Sequence, residues 1–344
     1  STLQIPPCLP FDPMLRTVAV AVCLLEFVAA SSSAEYLSLL QLSAAGVSSR
    51  NETKRFAADN RSVFGSDFTH PEDRGIVAVS LGYQKCGTTM MWDVLKLHPD
   101  VLKVGPKELH YLAGPDAGFK CDHEGAPPSM DVFFKDCFRG EMPSRGQAAL
   151  DFTPTYGTKE YLPGFKKSVR ALNHSATFRF VAVLREPAAR AVSSMSMKRK
   201  NNESNFGNLT DEELDKELVQ KLQQRQRGGL PRAITDGEYA DSLHGWLKTF
   251  DKDSLLVINN AALNDVQTWK RIHRHLGLEV PSNQVIKQML DYTNTAYAAA
   301  QALKYEEANT EYYEASSSVM KQLRAHYKPY DRRLWDLLGV SPWW

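Results

Sequence analysis

The sequence predicts an α/β fold in which helices cover both faces of a mostly parallel central sheet. From residue 75 onward, short apolar runs bounded by turn residues alternate with longer helical patterns. Such runs are typical of parallel strands that are buried on both faces. With 344 residues, of which 43% are hydrophobic and 24% charged, the chain can bury a substantial core. The formal net charge of +1 shows no global basic excess, which argues against a nucleic-acid partner.

The predicted strands and helices alternate along the chain. Strands are expected at Gly75–Leu81, Val101–Val104, Gln147–Phe152, Phe178–Leu184 and Ser254–Ile258. Helices are expected at Thr88–Leu97, Pro187–Lys200, Asp211–Arg225, Glu238–Phe250, Asp265–Leu276 and Tyr312–Leu338. The charged, polar segment Lys198–Arg227 has the composition of a locally disordered stretch or an insertion. This alternation predicts a single domain over residues 75–344.

The first 74 residues are predicted to lie outside that domain. An apolar run from Thr17 to Ala30 follows Arg16 and is interrupted only by Glu26. Residues 1–30 are therefore expected to be a signal peptide or a signal anchor, and a buried amphipathic helix is the alternative for this run. Residues 31–74 are Ser- and Ala-rich and then polar, so they are expected to form a stem or linker.

Asparagine and cysteine positions bear on the compartment. Sequons of the form N-x-Ser/Thr occur at Asn51, Asn60, Asn173, Asn202 and Asn208. Beside an apolar N-terminal run, these sequons favour entry into the secretory pathway as a glycoprotein. The five cysteines are too few for a disulfide scaffold and show no C-x-x-C metal spacing. Cys121 and Cys137 could form a disulfide across a Gly- and Pro-rich segment, or could be two free buried cysteines.

The loop after the first predicted strand has the character of an anion site. It reads GYQKCGTT, and its glycines, Gly82 and Gly87, have the spacing of a phosphate-binding loop, although Lys85 lies inside the loop rather than after the second glycine. Backbone N–H groups here, with the hydroxyls of Thr88 and Thr89 at the start of a helix, suit a 5′-phosphate. Lys85 can reach the oxygen that bridges this phosphate and a group being transferred. The domain is therefore predicted to be P-loop-like.

The other strand ends favour a second phosphate over a metal ion. Kinases and NTPases hold Mg²⁺ with an acid at the end of an apolar strand, but neither FVAVLRE nor LLVINNA supplies an aspartate there. The fourth strand instead supplies Arg185, whose fork-shaped cation suits phosphate, and Ser193 follows about two helical turns later. This arrangement fits a nucleotide with 5′ and 3′ phosphates and a metal-free transfer. A P-loop kinase or NTPase is the alternative.

Five motifs together resemble the carbohydrate sulfotransferases that use 3′-phosphoadenosine 5′-phosphosulfate (PAPS). The motifs are GYQKCGTT, KELHYL, LREPAARAVSSM, GEYADSLHGWLKTF and LRAHYKPYDRRLWDLLG, and the similarity runs from Ile76 to Gly339. The subgroup includes the heparan sulfate N- and O-sulfotransferases and the chondroitin 6-O-sulfotransferase that acts on sulfated N-acetylgalactosamine. The resemblance implies PAPS as donor, 3′,5′-ADP (PAP) as product and a glycan hydroxyl, less readily an amine, as acceptor. It also implies a Golgi-luminal enzyme that meets the membrane only through its N-terminal segment.

The resemblance further implies roles for individual residues. Lys85 matches the lysine that stabilises the leaving phosphate, and Glu108 in KELHYL matches the general base on the acceptor. Lys107 and His110 flank Glu108 and could hold the acceptor or the carboxylate. No metal ligand is implied. The implied donor-binding residues are Gly82, Tyr83, Gln84, Lys85, Cys86, Gly87, Thr88, Thr89, Arg185 and Ser193.

Two departures from the family pattern bear on function. Many relatives carry Glu-Lys ahead of Ser/Thr-Pro in the third motif, whereas this chain has Asp151, Phe152, Thr153 and Pro154, so contacts of that lysine do not transfer. Relatives also often have a Gly-rich, basic closing loop, of which the segment around Lys304 keeps little. A catalytically inactive binding protein with the sulfotransferase fold is therefore a further alternative.

Other residues in or near these motifs are not assigned a chemical role. His98 is expected to end a helix before a proline, and Trp246 and Phe250 are expected to be core residues. Cys86 lies beside Lys85 but has no candidate base for a nucleophilic role. The basic cluster, residues 198–200, is either a solvated helix end or a surface that faces an anionic glycan.

Overall fold

A computed structural model describes residues 75–102, 107–113, 133–158, 160–172, 177–307 and 312–344. The predicted N-terminal apolar run, the stem, Cys121 and three sequon asparagines lie outside the described residues; these asparagines are Asn51, Asn60 and Asn173. The described part contains a four-stranded parallel sheet with the strand order β2-β1-β3-β4. The strands are β1 (Ile76–Gly82), β2 (Ala148–Asp151), β3 (Thr177–Leu184) and β4 (Leu255–Asn259).

The two central strands have the composition of a sheet that is covered on both faces. β1 reads IVAVSLG and β3 reads TFRFVAVL, and nearly all their residues are buried. Val77 in β1 is in register with Ala149 on one side and with Phe178 on the other. Parallel neighbours require crossover connections, which are right-handed in almost all proteins, so the intervening helices pack back onto the sheet.

The helices are numbered in chain order. They are α1 (Thr88–Leu95), α2 (Leu162–Leu172), α3 (Pro187–Lys200), α4 (Asp211–Gln226), α5 (Arg232–Thr235), α6 (Tyr239–Leu247), α7 (Val266–His275), α8 (Asn283–Glu307) and α9 (Ser317–Leu338). Short 3₁₀ segments lie at Tyr111–Ala113, Glu203–Asn208, Lys252–Ser254 and Asn260–Asn264, and a π-helical turn lies at Phe133–Cys137.

Local sequence signals explain where several helices begin. Pro187 occupies the first turn of α3, where its fixed φ suits a helix and its missing N–H leaves no helical bond unmade. Thr210 and Glu213 form a reciprocal capping box at the start of α4. Asp265 caps α7 through the amide of Thr268, at 2.8 Å. These caps satisfy N–H groups that have no partner within the helix.

Helices pack on both sides of the sheet. The helix α1 contacts α8, and α7 contacts β4 and α8. On the opposite side, Phe165 of α2 stacks edge-on against Trp246 of α6, and α9 packs on α3 and α6. A smaller apolar cluster joins α3, α4 and α9 away from the sheet. These observations confirm the predicted fold class, a P-loop-like α/β domain with a parallel sheet between helices.

The structure corrects two predictions. The predicted strand Val101–Val104 does not form over its described residues, because Val101 makes an isolated bridge to Ala148 and Leu102 follows without strand pairing. The segment Lys198–Arg227 is ordered: it contains the end of α3, a 3₁₀ segment and all of α4. Three leucines at helical spacing, Leu214, Leu218 and Leu222, are buried along α4 and explain why the segment folds despite its high charge.

Other predicted features are placed as expected or fall partly outside the described residues. Trp246 is buried in the main core and Phe250 packs against it. Asn202 and Asn208 are exposed. Cys137 is disulfide-bonded, but Cys121 is not among the described residues, so their pairing stays a prediction. Within the described ranges, the helices are too short or too polar to cross a membrane.

Candidate active site at the carboxyl edge of the sheet

The loop after β1 is shaped by residues with left-handed backbone conformations. Gly82 and Gly87 have φ of 110° and 98°. A Cβ on Gly82 would collide with the carbonyl oxygen of Pro154, and one on Gly87 would lie 2.7 Å from Nδ2 of Asn260. Glycine is therefore required at both positions by conformation and by space. Lys85, between them, also has a positive φ, 70°, which is uncommon for a residue with a side chain and common at functional loops.

Hydrogen bonds from several elements hold this loop in place. The Tyr83 amide donates to the carbonyl oxygen of Val183 in β3, at 3.1 Å, and the Tyr83 hydroxyl bonds Ser242 of α6. Asn260, just after β4, donates from Nδ2 to the carbonyl oxygen of Cys86, at 2.8 Å. The loop is thus connected to β3, to α6 and to the segment after β4, while α1 begins directly behind it with Thr88 buried.

Cys86 serves the loop as a packing residue. Its side chain is fully buried, it is a free cysteine, and its Sγ lies 3.4 Å from the hydroxyl of Tyr239. Burial raises the pKa of the thiol above its usual value, which disfavours the thiolate that a nucleophile needs. The Tyr239 hydroxyl donates in turn to the carbonyl oxygen of Arg185, at 2.9 Å. One tyrosine therefore contacts both of the predicted phosphate-binding segments.

Positive charge converges on the loop. Arg185, directly after β3, donates from Nη1 to the carbonyl oxygen of Lys85, at 3.2 Å. Burial, together with the smaller effects of the positive charges of Lys200, Arg185 and Lys107, lowers the pKa of the Lys85 ammonium to about 8. Like charges held this close repel one another, and a bound anion would relieve that repulsion. The residues present therefore fit a bisphosphorylated nucleotide, with Ser193 buried two turns into α3.

The predicted acceptor residues lie beside the loop. Nζ of Lys107 donates to Oγ1 of Thr89, at 3.1 Å, and to Oε1 of Glu108, at 3.2 Å. On the other side of the carboxylate, Nε2 of His110 lies 3.6 Å from Oε2 of Glu108. Glu108 is about a third exposed, and Lys107 and His110 are about a fifth exposed. A partly exposed carboxylate with basic neighbours next to an anion site can accept a proton from an incoming hydroxyl.

The basic cluster at the end of α3 is divided. Arg199 is buried, pairs with Asp211 at 2.6 Å and lies over the ring of Tyr313. Lys198 lies over the Phe206 ring, with its Nζ 5.2 Å from the centroid. Lys200 is close enough to Lys85 to lower its pKa. Arg199 and Lys198 therefore contact the region around α4, and Lys200 acts on the candidate active site.

Sequence reasoning assigned no role in the site to three residues that shape it: Asn260, Tyr239 and Asp151. Tyr239 lies inside the motif GEYADS, so its position was a usable signal. Asn260 follows an apolar strand, at a position where an aspartate would have indicated a Mg²⁺ site. Asp151 is fully buried, and burial raises the pKa of its carboxyl to about 6 despite hydrogen bonds that lower it. His98, predicted to be inert, is buried, with Nε2 3.0 Å from the carbonyl oxygen of Glu279.

Across the described ranges, no group of three or more His, Cys, Asp or Glu side chains could hold a metal ion.

Comparisons with known proteins agree with the motifs. The chain is 23% identical over 314 residues to heparan sulfate glucosamine 3-O-sulfotransferase 3B1 of Mus musculus, a match that covers 87% of this chain and 73% of that protein. It is 26% identical over 232 residues to the bifunctional heparan sulfate N-deacetylase/N-sulfotransferase 2 of Bos taurus, covering 62% of this chain and 22% of that protein. No family model matches the chain.

A solved structure supports the fold. The crystal structure of a sulfotransferase from Alicyclobacillus acidocaldarius aligns with a TM-score of 0.53 and 20% identity, covering 79% of this chain and 97% of that one. The fold is the one that this sulfotransferase structure has, and in sequence the chain is similar to heparan sulfate sulfotransferases. These findings confirm the predicted resemblance to the PAPS-dependent carbohydrate sulfotransferases.

Proposed function

We propose that this chain transfers a sulfuryl group from PAPS to a hydroxyl group of a glycosaminoglycan, with Lys85 and Glu108 as the catalytic residues. The observation that carries the proposal is a bridge between the two halves of the site: Lys107 donates hydrogen bonds to Glu108 and to Thr89, the last residue of the loop that contains Lys85. The 3-O- and N-sulfotransferase relatives are named for heparan sulfate, which supports a polyanionic glycan as acceptor.

PAPS, when bound, supplies an activated sulfuryl group attached through a bridging oxygen to its 5′-phosphate. The backbone N–H groups of the loop and the hydroxyls of Thr88 and Thr89 would hold the 5′-phosphate. Arg185 and Ser193 would hold the 3′-phosphate, because a guanidinium and a hydroxyl suit its oxygens. Gly82, Tyr83, Gln84, Cys86 and Gly87 contribute the loop backbone.

The chemical step divides between the two catalytic side chains. The acceptor oxygen attacks sulfur in line and forms the new S–O bond, while its proton passes to the Glu108 carboxylate. The S–O bond to the bridging oxygen breaks, and its electron pair stays on the 5′-phosphate of PAP. Lys85 places its positive charge where that negative charge develops. Lys107 and His110 orient Glu108 and the acceptor, and the chain's residues supply this step without a metal ligand.

The cellular setting is part of the proposal. We infer a Golgi-luminal glycoprotein whose N-terminal segment, residues 1–30, is a signal peptide or a type II membrane anchor. The exposed sequon residues Asn202 and Asn208 and the disulfide-bonded Cys137 support an oxidising, glycosylating compartment. The positive charges of Lys107 and Lys200 near Lys85 support an anionic partner over a neutral one.

The test is a calorimetric titration of the full chain with 3′,5′-ADP in EDTA and, separately, with ATP and Mg²⁺. Metal-free preference for the bisphosphate is expected, followed by transfer of labelled sulfate from PAPS to heparan sulfate or chondroitin sulfate. Preference for ATP with Mg²⁺ would replace the proposal with a kinase or NTPase. Normal binding of 3′,5′-ADP without transfer to any glycan would indicate an inactive binding protein.

A further inference from the structure

The segment that carries Glu108 has little regular structure of its own. It runs from Lys107 to Leu112, ends in a short 3₁₀ turn and contains no glycine. His110 adopts a left-handed conformation with φ of 57°, which a residue with a side chain holds only where its surroundings determine it. The position of Glu108 must therefore be set by contacts from elsewhere in the fold.

Those contacts come from the turn that follows β2. The amide of Phe152 donates to the carbonyl oxygen of Lys107, at 3.0 Å. The amide of His110 donates to Oγ1 of Thr153, at 3.0 Å, and the amide of Leu112 donates to the hydroxyl of Tyr156, at 3.0 Å. The two hydroxyls thus accept hydrogen bonds from the residues on the carboxyl side of Glu108.

Both hydroxyls donate hydrogen bonds to a single carboxylate. Oγ1 of Thr153 donates to Oδ1 of Asp151, at 2.8 Å, and the Tyr156 hydroxyl donates to Oδ2, at 2.7 Å. The amide of Leu109 also hydrogen-bonds Asp151 directly. The orientation of each O–H group is fixed, because its oxygen accepts a hydrogen bond from an amide of residues 110–112 and its hydrogen is donated to the carboxylate. Chains of hydrogen bonds of this kind polarise and strengthen one another.

The cost of this arrangement indicates that it has a purpose beyond folding. Asp151, Thr153 and Tyr156 are all fully buried, and the partners recorded for the carboxylate are hydroxyl and amide groups. Burying an ionised carboxylate is unfavourable, and it is tolerated when its oxygens are fully hydrogen-bonded. A neutral side chain could close the same turn without that cost. An acceptor-only carboxylate, in contrast, fixes the direction of every donor around it.

We propose that Asp151, Thr153 and Tyr156 form a positioning unit that holds the Glu108 carboxylate against Lys107 at the edge of the phosphate loop. The inference rests on the proposed function, in which Glu108 takes the acceptor proton. The unit acts through the backbone of residues 109–112 and does not touch the substrate. A displacement of a catalytic group by about 1 Å is enough to reduce turnover by orders of magnitude.

The test compares four variants of the full chain with the wild type. Thr153→Val keeps the shape of the side chain and removes its hydroxyl, Thr153→Ser restores the hydroxyl, and Tyr156→Phe removes the second hydroxyl. Thr158→Val is the matched control, because Thr158 is a buried threonine of the same turn whose hydroxyl donates to the carbonyl oxygen of Thr155.

Three readouts are measured: transfer kinetics, affinity for 3′,5′-ADP and amide hydrogen exchange of the peptide that spans residues 107–113. Thr153→Val and Tyr156→Phe are expected to lower kcat at least tenfold with the affinity for 3′,5′-ADP unchanged, and to speed exchange in this peptide. Thr153→Ser is expected to recover most of the loss. Thr158→Val is expected to match the wild type in all three readouts.

The outcomes separate this inference from the proposed function. Wild-type kcat and exchange in Thr153→Val would overturn the positioning unit while leaving sulfuryl transfer intact. A fall in affinity for 3′,5′-ADP that parallels the fall in kcat would also overturn it, since the damage would then extend to the donor loop. If the wild type transfers no sulfate, the proposed function fails, and hydrogen exchange alone still decides whether these hydroxyls hold the segment.

Discussion

The donor and acceptor halves of the site are held in different ways. The donor loop, residues 82–89, is shaped by its own backbone, with two glycines in left-handed conformations and close approaches from Pro154 and Asn260. The acceptor segment, residues 107–112, has no glycine and is held by the hydroxyls of Thr153 and Tyr156, some 40 residues away along the chain. One half is determined locally and the other by tertiary contacts.

Because of this difference, the two halves should respond differently to substitutions. Substitutions in the donor loop meet backbone strain or direct collision, so most of them should damage binding and chemistry together. Substitutions in the acceptor half can move one carboxylate while leaving the loop as it is. The following predictions test whether binding and turnover separate along this line, from the largest expected effect to the smallest.

Glu108→Gln should give the largest loss with the least change in binding. Glutamine keeps the size of the side chain but cannot take a proton, so kcat should fall by about 10²–10⁴-fold. Calorimetry should find the affinity for 3′,5′-ADP unchanged, because the donor loop is untouched. Glu141→Gln, at an exposed glutamate, is the control. Near-normal turnover in Glu108→Gln would remove this residue from the mechanism.

Lys85→Ala should lower turnover by about 10²–10³-fold, since it removes the charge that meets the developing negative charge on the leaving phosphate. The melting temperature should not fall, because burial of the Lys85 ammonium is unfavourable in the free protein. Lys96→Ala is the matched control: Lys96 lies just after α1 and pairs with Asp93. A turnover number close to that of the wild type would show that the loop does not contact the reacting bond.

Arg185→Ala should weaken binding of 3′,5′-ADP by about tenfold to hundredfold, because hydrogen bonds to charged groups contribute about 1.5–3 kcal/mol. Binding of 5′-AMP, which lacks the 3′-phosphate, should change far less. Arg227→Ala, at an exposed arginine, is the control. Equal losses for both nucleotides would mean that Arg185 acts on the loop, through its bond to the Lys85 carbonyl oxygen, and not on the 3′-phosphate.

The two halves also differ in how far sequence could predict them. In the donor half, the sequence predicts the ends of the two strands that precede Lys85 and Arg185 to within two residues. This is possible because strand composition and the backbone conformation of the glycines are local properties. Glu108 was found only through the motif KELHYL. Asp151 stands out in the sequence only because Phe152 follows it where many relatives have a lysine. Its contacts to Thr153, Tyr156 and Leu109 depend on how two loops pack. No spacing rule contains that information.

The segment Lys198–Arg227 shows the same limit in the fold. Its charge suggested disorder, yet a capping box and buried leucines make it helical. The helical spacing of the leucines is present in the sequence, but the many charged residues between them favoured the interpretation of the segment as disordered. The high charge favours disorder and the leucine spacing favours a helix. Packing of the leucines against α3 and α9 decides between the two, and composition alone does not show that packing.

The smallest predicted effect is a pH dependence that belongs to the donor half alone. In the free protein, burial and neighbouring cations lower the pKa of Lys85 to about 8. A bound phosphate stabilises the ammonium and so raises this pKa, which means that binding takes up a proton above pH 8. Affinity for 3′,5′-ADP should therefore be full below pH 8 and fall by at most about tenfold per pH unit above it.

Calorimetry between pH 7.5 and 9.5, in buffers of different ionisation enthalpy, measures this proton uptake directly. Phosphate groups with a second pKa of about 6 keep a constant charge over this range, so the ligand contributes no slope. Lys85→Ala should bind more weakly and lose the slope, whereas Glu108→Gln should keep it, because Glu108 lies in the other half of the site. A slope that survives Lys85→Ala would assign the proton to another group and would break the separation between the two halves.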